Sequence, residues 1–202
     1  EKNNRVLEVM VSSVRPFALM MGKILGVASV AVVQVLIWGV LIVGVGLLIV
    51  SNVLPADVME AAKAMQQGTP AAGPMADINP EMLQAVAAMM DMAYIIKIFA
   101  SLVLFVFGGF LLYAAMFAAV GSAVDNVQDA SQLQMPITLP IILALLMMFV
   151  VIRDPNSQLA FWFSIIPFTS PIGMMARIPY DIPLWEIVLS LAVLYASFIG
   201  MV

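Results

Sequence analysis

The sequence predicts an all-α polytopic membrane helix bundle, and three observations carry that prediction. Hydrophobic residues make up 64% of the 202, and the mean hydropathy is +1.11. Only 10% are charged, against about 25% in an ordinary soluble domain. Four uncharged or nearly uncharged runs, about 24–50, 98–124, 135–152 and 184–202, are each near the 20 residues that cross a bilayer as a helix. A soluble domain of this length has no core large enough to hide so much apolar surface.

The first segment, 1–23, is mixed. Val6, Met10 and Phe17, with Leu7, Val11 and Val14 beside them, recur near helical spacing among Glu1, Lys2, Arg5, Glu8, Arg15 and Lys23. That is an amphipathic stripe. Pro16 suits the first turn of a second helix better than the interior of a single one. Two short helices on a membrane surface are expected here.

Ile24 to Val50 has no charge over 27 residues and reaches about 40 Å as a helix, enough to span with some tilt. Gln34 falls near its middle. Residues 51–94 form a polar excursion. Pro55 to Gln67 reads as a short helix stopped by Gly68, and the stretch around Gly68–Pro74 reads as a loop. Asn79-Pro80-Glu81 then starts a helix leading towards Tyr94, with Asn at the cap and Pro in the first turn.

The second span, 98–124, holds Gly108-Gly109 and the pairs Ala114/Ala118 and Ala115/Ala119. Small residues at such spacing let helix backbones approach closely in lipid. A polar loop is expected at 121–134. The third span follows, with Pro136 at its start and Pro140 expected to kink it.

Residues 155–182 are different. Leu159 to Met175 is uncharged, but Pro167 and Pro171 cut it into pieces too short to cross about 30 Å regularly. A broken helix that enters and returns is expected, tolerated only where protein or water covers its free backbone groups. The last span is 184–202. Residues 1–23 carry four Lys/Arg, which leans that end towards the cytoplasm.

Several chemistries are excluded. The chain has no histidine and no cysteine, so it builds no imidazole or thiolate zinc site and no triad or dyad resting on those residues. Gly22-Lys23 lacks the Gly and Ser/Thr of a phosphate loop, with Phe17 and Ile24 in their places. The acidic balance, net charge −4, argues against nucleic acid as a partner. Asp91, Asp125, Asp129 and Asp154 sit at or outside span ends, where an intramembrane aspartyl protease has no use for them. The 17 methionines read as gap-fillers in apolar surroundings.

What remains is a set of intramembrane polar residues, which are costly and often functional. Gln34 reads first as an interhelical hydrogen bond and second, with Thr138, as lining a translocation path. Ser164, Thr169 and Ser170 read as donors to backbone freed by the two prolines.

Glu1 to Phe17 (EKNNRVLEVMVSSVRPF), followed by Leu19-Met20-Met21-Gly22-Lys23-Ile24-Leu25-Gly26, resembles the cytoplasmic segment of ABC-2 type permeases, in particular the sodium-exporter-like (NatB-type) branch. Asp125 to Pro136 (DNVQDASQLQMP) is similar to that branch's second cytoplasmic loop. Ile166-Pro167-Phe168-Thr169-Ser170-Pro171 with Met174 to Pro179 looks like its re-entrant region. The resemblance implies a six-span permease in a bacterial cytoplasmic membrane, of which this chain would be a fragment holding spans three to six. It implies that Glu1, Arg5, Leu7, Glu8, Met10 and Arg15 dock on a separate ATP-binding cassette ATPase, which would hold ATP and Mg while this chain binds no cofactor. It implies pairing with a second permease subunit. It further implies an external gate at Pro167, Thr169, Ser170, Pro171 and Arg177, and export of sodium, another small cation or a small amphipathic compound. The competing reading is a membrane scaffold or assembly protein that transports nothing.

Overall fold

The computed structural model describes residues 16–67, 79–124, 127–180 and 182–202. The amphipathic segment at 1–15, the Gly68–Pro74 loop and Asp181 lie outside the described residues. Every regular element among the described residues is helical: α1 Pro16–Asn52, α2 Ala56–Gln66, α3 Pro80–Met90, α4 Met92–Ala123, α5 Val127–Arg153, α6 Gln158–Ile165, α7 Ser170–Arg177, a 3₁₀ turn Ile178–Tyr180, and α8 Leu184–Met201. Four of these, α1, α4, α5 and α8, are long and apolar enough to cross a membrane. Their outward residues include Val40, Ile42 and Leu48 on α1, Phe149 on α5, and Leu184 and Val188 on α8. Lipid or further membrane helices must cover such faces.

The boundaries depart from the expected ones in three places. Pro16 does begin a helix, but that helix continues without a break into the first apolar run. The helix expected from Asn79 towards Tyr94 stops at Met90, and α4 begins at Met92. Asp91 makes that break: its Oδ1 accepts a hydrogen bond from the Ala93 N–H at 2.9 Å, as a helix cap does. The stretch 121–134, expected as a loop, is helical in every described residue except Val124. Helix α5 therefore starts eight residues before Met135 and contains both Pro136 and Pro140. A proline inside a membrane helix is tolerated when neighbouring groups take up the freed carbonyls.

The chain forms two compact units, residues 34–103 and residues 1–33 with 104–202. In the first, α2 packs on α3 around Val50, Val58, Ala61, Ala62, Leu83 and Val86. The other unit contains α5 to α8 with most of α4. There α6 packs on α7, α5 carries both, and α8 closes against both.

Candidate functional site

Buried polar side chains are few, and where they gather is informative. Ser101 aside, all those among the described residues lie between Ser164 and Ser190: Ser164, Thr169, Ser170, Arg177, Glu186 and Ser190. This is the proline-broken segment and the start of α8.

Local chemistry explains the break. Asp154 to Ser157 is a turn, in which Ser157 Oγ donates to the Asp154 carbonyl (2.9 Å) and accepts from Ala160 N–H (3.2 Å), capping α6. Helix α6 ends after eight residues because Pro167 has no N–H for the Phe163 carbonyl. Helix α7 begins at Ser170 with Pro171 in its first turn, where a missing N–H costs nothing. Eight residues rise about 12 Å, so neither helix crosses the hydrocarbon alone.

The carbonyls freed at the break are taken up by side chains. Thr169 Oγ1 donates to Phe163 O at 2.7 Å, and Ser170 Oγ to Pro167 O at 3.4 Å. These are the two carbonyls that Pro167 and Pro171 leave without partners. Ser190 of α8 donates to Ser164 O at 2.6 Å. Tyr113 of α4 donates to Phe168 O at 2.6 Å. The Ile166 carbonyl accepts from the N–H groups of Thr169 and Ser170. Thr169→Val removes the donor from Phe163 O and should cost about 1–3 kcal/mol, the penalty for a buried carbonyl left unmet. Thr169→Ser keeps the donor and should retain most of that stability. Chemical unfolding of both variants in micelles measures the difference.

Arg177 is the hub. Its side chain is 2% exposed. Nε donates to Pro155 O at 2.7 Å and Nη1 to Ser164 Oγ at 2.7 Å. Nη1 also stands 2.8 Å from Glu186 Oε2, and the guanidinium lies 6.0 Å from the Phe161 ring centre. Glu186 Oε2 is itself buried and makes no aligned hydrogen bond among the described residues; charge, not a directed bond, holds it there. Helix ends assist both partners: Arg177 sits in the last turn of α7 and Glu186 in the first turn of α8, the termini that favour each sign.

Glycine sets how closely the segment packs. A Cβ at Gly173 would stand 3.0 Å from the Phe163 carbonyl oxygen, so α7 lies directly on the end of α6. On α4, a Cβ at Gly109 would meet the Pro171 ring, and one at Gly108 would meet Leu194 and Tyr195 of α8. Tyr195 Oη donates to Leu104 O at 3.0 Å, a second tie between α8 and α4.

At the other end of the same unit lies an apolar cavity of about 230 Å³. It is walled by Met20, Met21 and Ile24 of α1, by Ala115, Ala118, Ala119 and Ser122 near the end of α4, and by Phe198, Met201 and Val202 at the end of α8. The start of α1 and the ends of α4 and α8 therefore meet in one place.

Of the residues singled out from sequence, Thr169, Ser170 and Arg177 are brought together and buried, with Pro167 and Pro171 half-buried beside them. Thr138 is elsewhere, donating to Gln134 O of its own helix at 2.9 Å. Gln34 is exposed on α1, and its amide bonds to no other described residue. Val33 and Ile37 beside it are exposed as well. Glu1, Arg5, Leu7, Glu8, Met10 and Arg15 lie outside the described residues. Sequence reasoning passed over Glu186, Ser190 and Tyr113. Glu186 carried a usable signal, being the one acid within the last apolar run. Among the described residues no three carboxylates gather as a metal site would need.

No curated protein and no solved structure matches the chain. The family model of ABC-2 family transporter proteins matches it over residues 1–202. With four helices suited to crossing a bilayer and a match along its whole length, the chain is a multi-pass membrane protein that belongs to the ABC-2 transporter family.

Proposed function

We propose that the chain is the membrane-spanning permease part of an ATP-binding cassette exporter of the sodium-exporter-like (NatB-type) branch, in a bacterial cytoplasmic membrane. It moves its substrate outward by alternating access, and a separate ATPase subunit binds ATP and Mg. Sodium, another small cation or a small amphipathic compound is the cargo, and a second permease subunit completes the path. The observation that carries this reading is the family match over all 202 residues. Residues 1–23 act as the lever against the ATPase. Gln34 and Thr138 line the path, and the α6–α7 hairpin, with Pro167, Thr169, Ser170, Pro171 and Arg177, is the external gate.

The meeting of helix ends supports the topology. If α1 leaves the cytoplasm, α4 returns and α5 leaves again, then α8 ends beside the start of α1 only if residues 155–182 do not cross. The hairpin then dips in from outside. The chain has no cysteine, so introduced thiols have no background from it. A membrane-impermeant thiol reagent added outside should label Asn156→Cys and Tyr180→Cys, both at exposed positions, and spare Ser122→Cys. Labelling of only one of the first two would mean that the segment crosses.

The functional reading is tested by copurification. An ATPase with a phosphate loop should copurify with the chain, and its ATP turnover should respond to candidate cargoes. Leu7→Asp or Met10→Asp, each placing a charge on the apolar stripe, should abolish that response while leaving the permease inserted. A full response in both variants would remove the lever role, and absence of any ATPase would leave a scaffold.

A further inference from the structure

We propose that Glu186 is the positioning residue of the hairpin: through Arg177 it fastens α6 and α7 to α8, and the hairpin comes free along the surface between these two side chains. The proposal rests on reading the hairpin as the outer gate.

The bonds of Arg177 locate that surface. Both directed bonds of the guanidinium go to the hairpin side, to Pro155 O and Ser164 Oγ. The one partner it has on α8 is Glu186, held at 2.8 Å by charge and without an aligned hydrogen bond. Arg177 therefore travels with the hairpin when the pair parts, keeping two of its three polar partners. Thr169 and Ser170 likewise bond within the hairpin. Among the described residues, the Arg177–Glu186 pair and the bond from Ser190 Oγ to Ser164 O tie the hairpin to α8.

Polar links suit a joint that opens. A charge or hydroxyl exposed at the outer surface exchanges its partner for water at small net cost, whereas an apolar seam resists exposure in proportion to its area. The hairpin's contact with α4 adds that second character, with the Pro171 ring seated against Gly109 beside the bond from Tyr113 Oη to Phe168 O. Two eight-residue helices do not persist alone in water, so the hairpin must stay seated on α4 and α5 while it parts from α8.

The test reads the joint directly. Ser190 is fully buried and faces the hairpin, so Ser190→Cys reports access to the joint. Ala62→Cys, fully buried in the α2–α3 cluster, reports general loosening. Both are made in the full chain, assembled with its ATPase in intact cells, and treated with a membrane-impermeant thiol reagent. Adding Glu186→Gln should raise the labelling rate at Ser190→Cys at least tenfold and leave Ala62→Cys unchanged. No rise at Ser190→Cys, or an equal rise at both positions, would overturn the proposal. If Glu186→Gln fails to insert, Glu186→Asp, which keeps the charge but draws it back from Arg177, should raise Ser190→Cys labelling at least threefold. A parental rate there would overturn the proposal equally. ATP turnover of the same complexes is read in parallel. Open-joint variants that leave turnover and its cargo response at parental values would uphold the fastening and overturn the gate.

Discussion

Arg177→Met is expected to lower the free energy of unfolding by about 3–5 kcal/mol, the cost of leaving one partner of a buried ion pair uncompensated. Two groups lose their donor, the Pro155 carbonyl and the Ser164 hydroxyl, and the Glu186 carboxylate loses its counter-charge. The carboxylate dominates, because Glu186 is buried and Arg177 is the cation paired with it among the described residues. Arg177→Met with Glu186→Leu should therefore recover most of the loss, since replacing both partners by apolar side chains strands no charge. Denaturant unfolding in micelles, followed by tryptophan fluorescence, gives the numbers. Trp162 lies in α6, and Trp185 sits 6.1 Å from the Phe161 ring across the joint, so two of the three tryptophans report from the region affected. A single variant within about 1 kcal/mol of the parent, or a double variant no better than the single one, would mean that the pair does not hold this segment.

The sequence carried the four spans clearly, because uncharged runs of near bilayer length leave few alternatives. The broken segment was legible for a related reason. Pro167 and Pro171 each delete a backbone donor, so hydroxyls within reach are needed, and Thr169 and Ser170 supply them. Legibility fell where the partner is distant in sequence. Tyr113 meets Phe168 across 55 positions and Ser190 meets Ser164 across 26; no local spacing announces either. Glu186 was hidden differently, as one acid in an apolar run that already read as a span. Its meaning comes from Arg177, and that pairing depends on two helix ends facing each other.

Boundaries failed for a more local reason. Residues 121–134 are polar enough to read as a loop, yet Gln, Ala, Ser and Leu also extend a helix once one is nucleated by a span. Asp91 was lost in the opposite way. Surrounded by Met and Ala, it read as part of a continuing helix, whereas its side chain caps the next one.

Gly109→Ala should cost about 1–3 kcal/mol, the range for overfilling a packed contact, although alanine is the better helix former by about 1 kcal/mol. The added Cβ would stand 2.8 Å from Pro171 Cγ and 3.0 Å from its Cβ. A proline ring cannot rotate away, being tied to its own backbone nitrogen, so α7 must retreat from α4 as a whole. Gly121→Ala is the control on the same helix: its Cβ meets nothing within 4 Å, so it should be neutral or slightly stabilising. A retreat of α7 has a second consequence. Tyr113 lies one turn further along α4 and bonds to Phe168 O, two residues before α7. Tyr113→Phe alone should cost about 0.5–1.5 kcal/mol for the lost hydrogen bond, and more if the carbonyl finds no substitute. In the Gly109→Ala background that bond is already stretched, so Tyr113→Phe should add little, and the two costs should fall short of their sum. Strict additivity in a double-mutant cycle would show that α7 stays in place and that the methyl is accommodated some other way.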